Sequence, residues 1–395
     1  MATGNKDPVE HGRVPFWHDP AKRALVYQAV ALALVLLFGY YIFSNTQANL
    51  RRQSIATGFD FLTREAGFEI GEPLLSYSAA DTYVKALLVG FLNTLKVSLA
   101  GVVLTIIIGL FVGIARLSRN WLVSRLAAIY IEVLQNIPVL LQLFFWYAMF
   151  HNALPAPRLS FNPITGVFIN NRGFYIPVPE AHPAYSAMAI TLVVACAACF
   201  LLYRWAGARQ DRTGETFPVL SASVGLVAGL PLLVWVFFGA PTAMNVPHLA
   251  GFNYEGGYSF SPEFGALLLG LVLYTSAFVA EIVRAGVQSV SHGQTEAAMS
   301  IGLRSRLVLT LVILPQALRV IIPPLTSQML NLTKNSSLAV AIGYPDFVAV
   351  ANTTINQTGQ AIEGVALIMV TYLFISLVTS AFMNWYNRKS ALVER

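Results

Sequence analysis

The sequence predicts an all-α integral membrane protein of about eight transmembrane helices. Three observations carry that reading. The 395 residues are 56% hydrophobic and 11% charged, where a soluble domain carries about 25% charged residues. Apolar runs long enough to span a bilayer recur along the chain. Lys and Arg gather at alternate ends of those runs.

The runs lie at 24–43, 87–115, 122–149, 185–203, 218–239, 264–287, 307–330 and 363–385. The first follows a long polar leader and its apolar core is too long for a signal peptide, so it reads as a retained anchor. Residues 44–86 form an outer segment with five acidic residues, including Glu65, Glu69 and Glu72. The second span carries Gly109 and Gly113, which either permit close helix approach or reflect the abundance of glycine in membrane helices. The third holds Glu132, Gln135, Asn136, Pro138 and Gln142. Residues 151–184, rich in Pro, Asn and Gly, predict an ordered outer loop or hairpin.

The fourth and fifth spans form a helical hairpin. Cys196 and Cys199 sit in it as small apolar packing residues, with no histidine nearby to complete a metal site. Gly225 and Gly229 give it a GxxxG pair, which either packs on a neighbour or likewise reflects the abundance of glycine in membrane helices. In the seventh, Pro315 removes one backbone hydrogen bond and Pro323-Pro324 should break the helix. Such breaks persist only where protein or a water-filled cavity satisfies the freed backbone. The eighth ends in Trp385 and Tyr386 beside Arg388, an interfacial belt.

Lys and Arg favour one side by about two to one, which places both termini in the cytoplasm. The net charge of +6 therefore reports orientation and not a nucleic-acid partner. No GxxxxGK[ST] loop is present, so ATP hydrolysis by P-loop chemistry is excluded, and neither HExxH nor GxSxG occurs. No internal repeat of the kind that builds many secondary transporters is visible.

One polar stretch breaks the pattern between the sixth and seventh spans. "QTEAAMSI", 294–301, suits a short helix with Glu296 in its first turn, where the dipole favours a carboxylate. Ala297 and Ile301 share a face, and Gly302 is placed to end the helix with a left-handed residue. Arg304 and Arg306 mark the membrane boundary. This is either a docking element for a partner or an ordinary interfacial loop.

"EAAMSIGLRSRLVLTLVILP" resembles the EAA loop of membrane subunits of ATP-binding-cassette importers, matched at Glu296, Ala297, Ala298, Gly302, Val312, Leu314 and Pro315. "GFLNTLKVSLAGVVLTIIIGLFVGIARLS", "YIEVLQNIPVLLQLFFWY", "YTSAFVAEIVRAGVQSVSHGQTEAA" and "ILPQALRVIIPPLTSQMLNLTKNSSLAVAIGYPD" resemble the polar amino acid permeases of that class. The chain's length is similar to that of permease subunits in broad-specificity L-amino-acid importers. It departs from the family at Gln135-Asn136, where Arg-Gly is common.

The resemblance implies a type I importer core of five helices with added spans. It divides the chain into an N-terminal part, 1–86, and a permease domain, 87–385, ending in a cytoplasmic tail, 386–395. The permease domain carries an insertion at 150–262 and the coupling loop at 291–306. It implies an inner-membrane subunit that moves L-amino acids and is coupled through Glu296, Ala297, Ala298 and Gly302 to a cytoplasmic ATPase dimer. A second permease subunit and a periplasmic binding protein complete such systems. ATP and magnesium then belong to the ATPase, and this chain binds no cofactor and performs no catalysis.

An amino acid crossing the bilayer needs polar groups facing a cavity. The candidates are Glu281, Tyr274, Ser276, Asn331, Lys334, Glu132 and Gln142, with Pro315, Pro323 and Pro324 as helix breaks. Lys96 and Arg319 complete the set of candidates. Lys334 could meet a substrate carboxylate, or "NLTKNSS" could be an outer loop capped by its own side chains. Glu281 and Arg284, three apart on one helix, could instead neutralise each other. Glu132 could pair with an arginine at the rim, and Tyr274 could simply pack. A stand-alone ion-coupled carrier and a non-conducting assembly subunit remain alternative functions.

Overall fold

The computed structural model describes residues 20–52 and 57–390. The leader up to residue 19, with Lys6 and Arg13, lies outside the described residues, as do 53–56 and the last five residues with Arg395. The helices are α1 (Pro20–Arg52), α2 (Tyr83–Arg116), α3 (Trp121–Asn136), α4 (Val139–Ala153), α5 (Pro183–Thr213), α6 (Val219–Phe237), α7 (Pro262–Gln288), α8 (His292–Ser300), α9 (Ser305–Leu307), α10 (Leu314–Asn335), α11 (Phe347–Thr358) and α12 (Ala361–Ser390). Among the described residues, seven helical stretches are long and apolar enough to cross a membrane, or eight if the α3–α4 pair is one span.

That pair is the first departure from expectation. The run at 122–149 is bent by 103° between α3 and α4. Pro138 lacks an N–H and holds Ile137 extended, at φ −95° and ψ 124°. Gln142, expected in the pathway, repairs the bend instead. Its buried Nε2 donates to the carbonyls of Leu134 at 2.9 Å and Ile137 at 3.0 Å.

The second departure is the seventh span. Pro323 and Pro324 lie inside a continuous α10 and do not break it. An interior proline costs about 3 kcal/mol. Ile321, Ile322 and Met329, buried on either side of the pair, hold the helix against its neighbours by packing. Thr326 Oγ1 also donates to the Ile322 carbonyl at 2.9 Å. Pro315 lies in the first turn of α10, just after a π-helical turn, Val308–Ile313. The helix runs on through it, with Ile313 and Leu314 both right-handed helical, and the π-helical turn lies where the ladder loses that donor. The expected break at Pro315 is a widened turn.

The scaffold is the parallel packing of α2 on α7, in which residues 96, 109 and 113 of α2 meet 264, 279 and 283 of α7 in the same order. Gly109 and Gly113 make it possible: a Cβ on Gly109 would fall 2.5 Å from Val279 Cγ1, and one on Gly113 would fall 2.8 Å from Val283 Cβ. Close approach, not mere abundance, explains both. Helix α11 closes on α2 through Asn93 Nδ2, which donates to the Pro345 carbonyl at 3.0 Å, and through Phe347 N–H, which donates to Thr94 Oγ1 at 3.0 Å. Asp346 caps α11 by accepting from Ala349 N–H at 2.9 Å.

A strand layer covers one end of the bundle. It comprises β1 (Phe161–Ile164), β2 (Val167–Asn170), β3 (Gly173–Ile176), β4 (Val178–Pro179), β5 (Met244–Asn245), β6 (His248–Ala250), β7 (Asn253–Glu255) and β8 (Tyr258–Phe260). The main sheet runs β1-β2-β3-β8. The hairpin expected at 151–184 thus gains its fourth strand from beyond the α5–α6 excursion.

That excursion stands apart. Only 6% of the most apolar window of either helix is buried. A Cβ on Gly225 or Gly229 would meet no atom within 4 Å, so the expected GxxxG contact is not made within this chain. Helix α12 runs on to Ser390, into the first half of the stretch expected to form a tail; the remainder lies outside the described residues.

Candidate functional site

The polar stretch between α7 and α10 folds as α8. The helix begins at His292, two residues earlier than expected, so Glu296 is its fifth residue and lies beyond the first turn. Its carboxylate faces His292 Nδ1 at 3.0 Å instead of the free N–H groups. The C-terminus is a Schellman turn. Leu303 N–H donates to the Ala298 carbonyl at 3.2 Å and Gly302 N–H to that of Met299 at 2.9 Å. Gly302 sits at φ +84°, the left-handed region that glycine adopts without a steric penalty.

The face presented by α8 also differs from expectation. Ala298 is buried, so it is not offered to a partner. Glu296 and Ala297 are exposed, and Ile301 keeps 78% of its surface open. Ala297 and Ile301, four residues apart, thus leave one small apolar face of α8 open.

Of the pathway candidates, Tyr274 and Asn331 come together. They line a cavity of about 280 Å³ between α7 and α10, with Thr275, Phe278, Gln328 and Asn335. Thr275 Oγ1 is buried with no hydrogen-bond partner among the described residues. Sequence reading missed Phe278 and Gln328. Their spacing on the same faces, Tyr274 with Phe278 and Gln328 with Asn331, was the available signal.

The other candidates lie elsewhere. Ser276 is buried and shares a 2.7 Å hydrogen bond with the Tyr130 hydroxyl. Glu281 is taken by Arg284, whose Nε donates to Oε2 at 2.9 Å and whose Nη2 donates to Oε1. Arg284 Nη1 also donates to Gln288 Oε1 at 2.6 Å. The mutual neutralisation of Glu281 and Arg284 is therefore the reading that holds. Lys334 is exposed on the last turn of α10 and does not line the cavity. Glu132 is exposed, with no ion pair to an arginine among the described residues, and its carbonyl accepts from Asn136 Nδ2 at 2.6 Å.

The profile of the family described as binding-protein-dependent transport system inner membrane component matches residues 101–391. The chain belongs to this family. It is 49% identical over 378 residues to the general L-amino acid transport system permease protein AapQ of Rhizobium johnstonii, covering 96% of this chain and 94% of AapQ. It is 49% identical over 381 residues to the putative amino-acid ABC transporter permease protein YhdX of Escherichia coli K12, covering 95% and 96%. It is 38% identical over 410 residues to the glutamate/glutamine/aspartate/asparagine transport system permease protein BztB of Rhodobacter capsulatus, covering 96% of each. As an inner membrane component of this family, the chain is a multi-pass transport subunit and not an enzyme.

Proposed function

We propose that this chain is one permease subunit of an ATP-driven importer that moves L-amino acids across the inner membrane. The observation that carries the reading is α8. A short helix pinned by a Schellman turn and exposing Ile301 links α7 to α10, the two helices that frame the cavity. A partner that pulls on α8 moves both walls. The relatives named for amino acid transport supply the substrate class.

In this reading both termini and α8 lie in the cytoplasm, where an ATPase dimer carrying ATP and magnesium engages Glu296, Ala297 and Ile301. Ala298 and Gly302 hold the shape of the docking helix. A second permease subunit completes the membrane part, and a periplasmic binding protein delivers the amino acid on the side of the strand layer. ATP binding favours one of two states, so each partner must bind the two states with different affinity. The cavity's amides, hydroxyls and rings can hydrogen-bond an amino acid without selecting a side-chain charge, which suits broad specificity.

The test is purification of the chain from native membranes in mild detergent, with partners identified by mass spectrometry. An ATPase and a second, similar permease should accompany it. Recovery of the chain alone, with uptake that survives ATP depletion and collapses with an ion gradient, would replace this reading with an ion-coupled carrier.

A further inference from the structure

We propose that the cavity between the ends of α5 and α6 remote from the strand layer is a binding site for the phosphate of a membrane phospholipid, with Arg204 as its principal cation. The cavity measures about 460 Å³ and is lined by Tyr203, Arg204, Gly207, Gln210, Asp211 and Phe217 among others.

Depth is the first argument. Arg204 lies 21 residues along α5 from Pro183, a rise of ~32 Å. The hydrocarbon core of a bilayer is about 30 Å thick. A helix that enters at one headgroup layer therefore carries Arg204 to the other. Trp205 lies beside it and meets Phe217 edge-on, with ring centroids 5.4 Å apart. Aromatic rings of this kind gather at the headgroup level.

Charge is the second. The nearby Arg209 is already committed: its Nη2 lies 2.6 Å from Glu215 Oε2, and its guanidinium stands 5.6 Å from the Trp205 ring. Arg204 makes no ion pair among the described residues and is exposed to the cavity mouth. Arginine's planar fork suits phosphate oxygens, and basic pockets between membrane helices hold anionic headgroups.

Room and selectivity follow. The wall of α5 is built from Ala206, Gly207 and Ala208, and a Cβ on Gly207 would meet nothing within 4 Å. A headgroup can therefore lie against the helix backbone. Asp211 stands seven residues beyond Arg204, ~10 Å further along the axis. It repels a doubly charged free phosphate more than a phosphodiester. The exposed apolar faces of both helices, including Leu201 and Leu220, offer acyl chains a place to lie.

The experiment is native mass spectrometry of the intact assembly in detergent, titrated with phosphatidylglycerol. Arg204→Gln should weaken lipid binding roughly fivefold, and equal binding by the variant and the parent would overturn the proposal. Gly207→Leu keeps the charge but fills the floor, and it should lose binding to a similar extent. Unchanged binding in a well-inserted Gly207→Leu would also overturn it. Inorganic phosphate at matched concentration should not displace the lipid. Full displacement would make free phosphate the ligand and end the lipid assignment. Lipid retention is read directly, so the outcome is independent of how transport is energised.

Discussion

Lys96 of α2 and Glu72 of the preceding segment form an ion pair with Nζ and Oε2 2.9 Å apart, and their side chains keep only 12% and 11% of their surface. The ammonium lies 4.3 Å from the centroid of Phe264 and 5.4 Å from that of Phe260. Glu72 Oε1 also accepts from the Ser261 N–H. One carboxylate thus ties the segment before α2 to α2 itself and to the start of α7. Glu72 holds φ +56° to do so, a conformation worth of order 1–3 kcal/mol of strain in a non-glycine residue. Removing one partner of a buried pair leaves the other charge uncompensated. Glu72→Ala should therefore cost about 3 kcal/mol, seen as a lower melting temperature in detergent. The double variant Glu72→Gln with Lys96→Met should cost less than the sum of the singles. Strict additivity would mean the pair is not a unit.

The α2–α7 contact predicts a specific rescue. Gly109→Ala forces a methyl into Val279 and should destabilise by about 1–3 kcal/mol. Val279→Gly in the same chain, which removes both the Cγ1 and the Cβ that the methyl meets, should restore part of that loss. The yield of monodisperse protein after size exclusion reports both effects.

The turn after α8 predicts uncoupling without loss of insertion. Gly302→Val meets no steric neighbour, so its cost is conformational, on the order of 1 kcal/mol, and is confined to the turn. Membrane levels should stay near normal while stimulation of the partner ATPase by substrate falls away. Gly302→Asn, which tolerates positive φ better, should keep more activity than valine. Equal activity of the valine variant and the parent would remove α8 from the coupling path.

The cavity predicts which polar residues matter for uptake. Asn331→Leu should raise the apparent KM about tenfold, the value of a lost polar contact of ~1.4 kcal/mol. Lys334→Gln should change it by less than about twofold, since its effect would be that of a surface charge. Initial rates of labelled amino acid uptake in proteoliposomes decide the order. A larger effect at Lys334 would move the pathway outward along α10.

The bend predicts a folding defect. Gln142→Leu leaves the carbonyls of Leu134 and Ile137 without their buried donor. That should cost about 1–3 kcal/mol per orphaned group, measured as a lower melting temperature with unchanged substrate selectivity. A shifted selectivity instead would return Gln142 to the pathway.

Most of the architecture was legible in the sequence because length and apolar periodicity decide it. A run such as 264–287 has few ways to avoid becoming a membrane helix. The glycine after α8 was legible for a similar reason, since only one backbone conformation suits that position. What was not legible depended on distant partners. Pro323 and Pro324 announce a break, and only the apolar burial around them shows why the helix persists. Lys96 was visible as a charge in a span, but Glu72 lies 24 residues away across a bend in the chain. Glu281 drew attention as an intramembrane carboxylate, yet its partner three residues on had already claimed it. The fourth strand of the sheet was hidden by the two helices that intervene.

That intervening excursion has a topological consequence. Ile176 of β3 faces Tyr258 of β8, so the chain leaves for α5 and α6 and returns to the place it left. Two crossings of the bilayer cancel, and every later helix keeps its sidedness. A hairpin that returns the chain to the strand it left can lengthen or shorten without re-routing the helices that follow it.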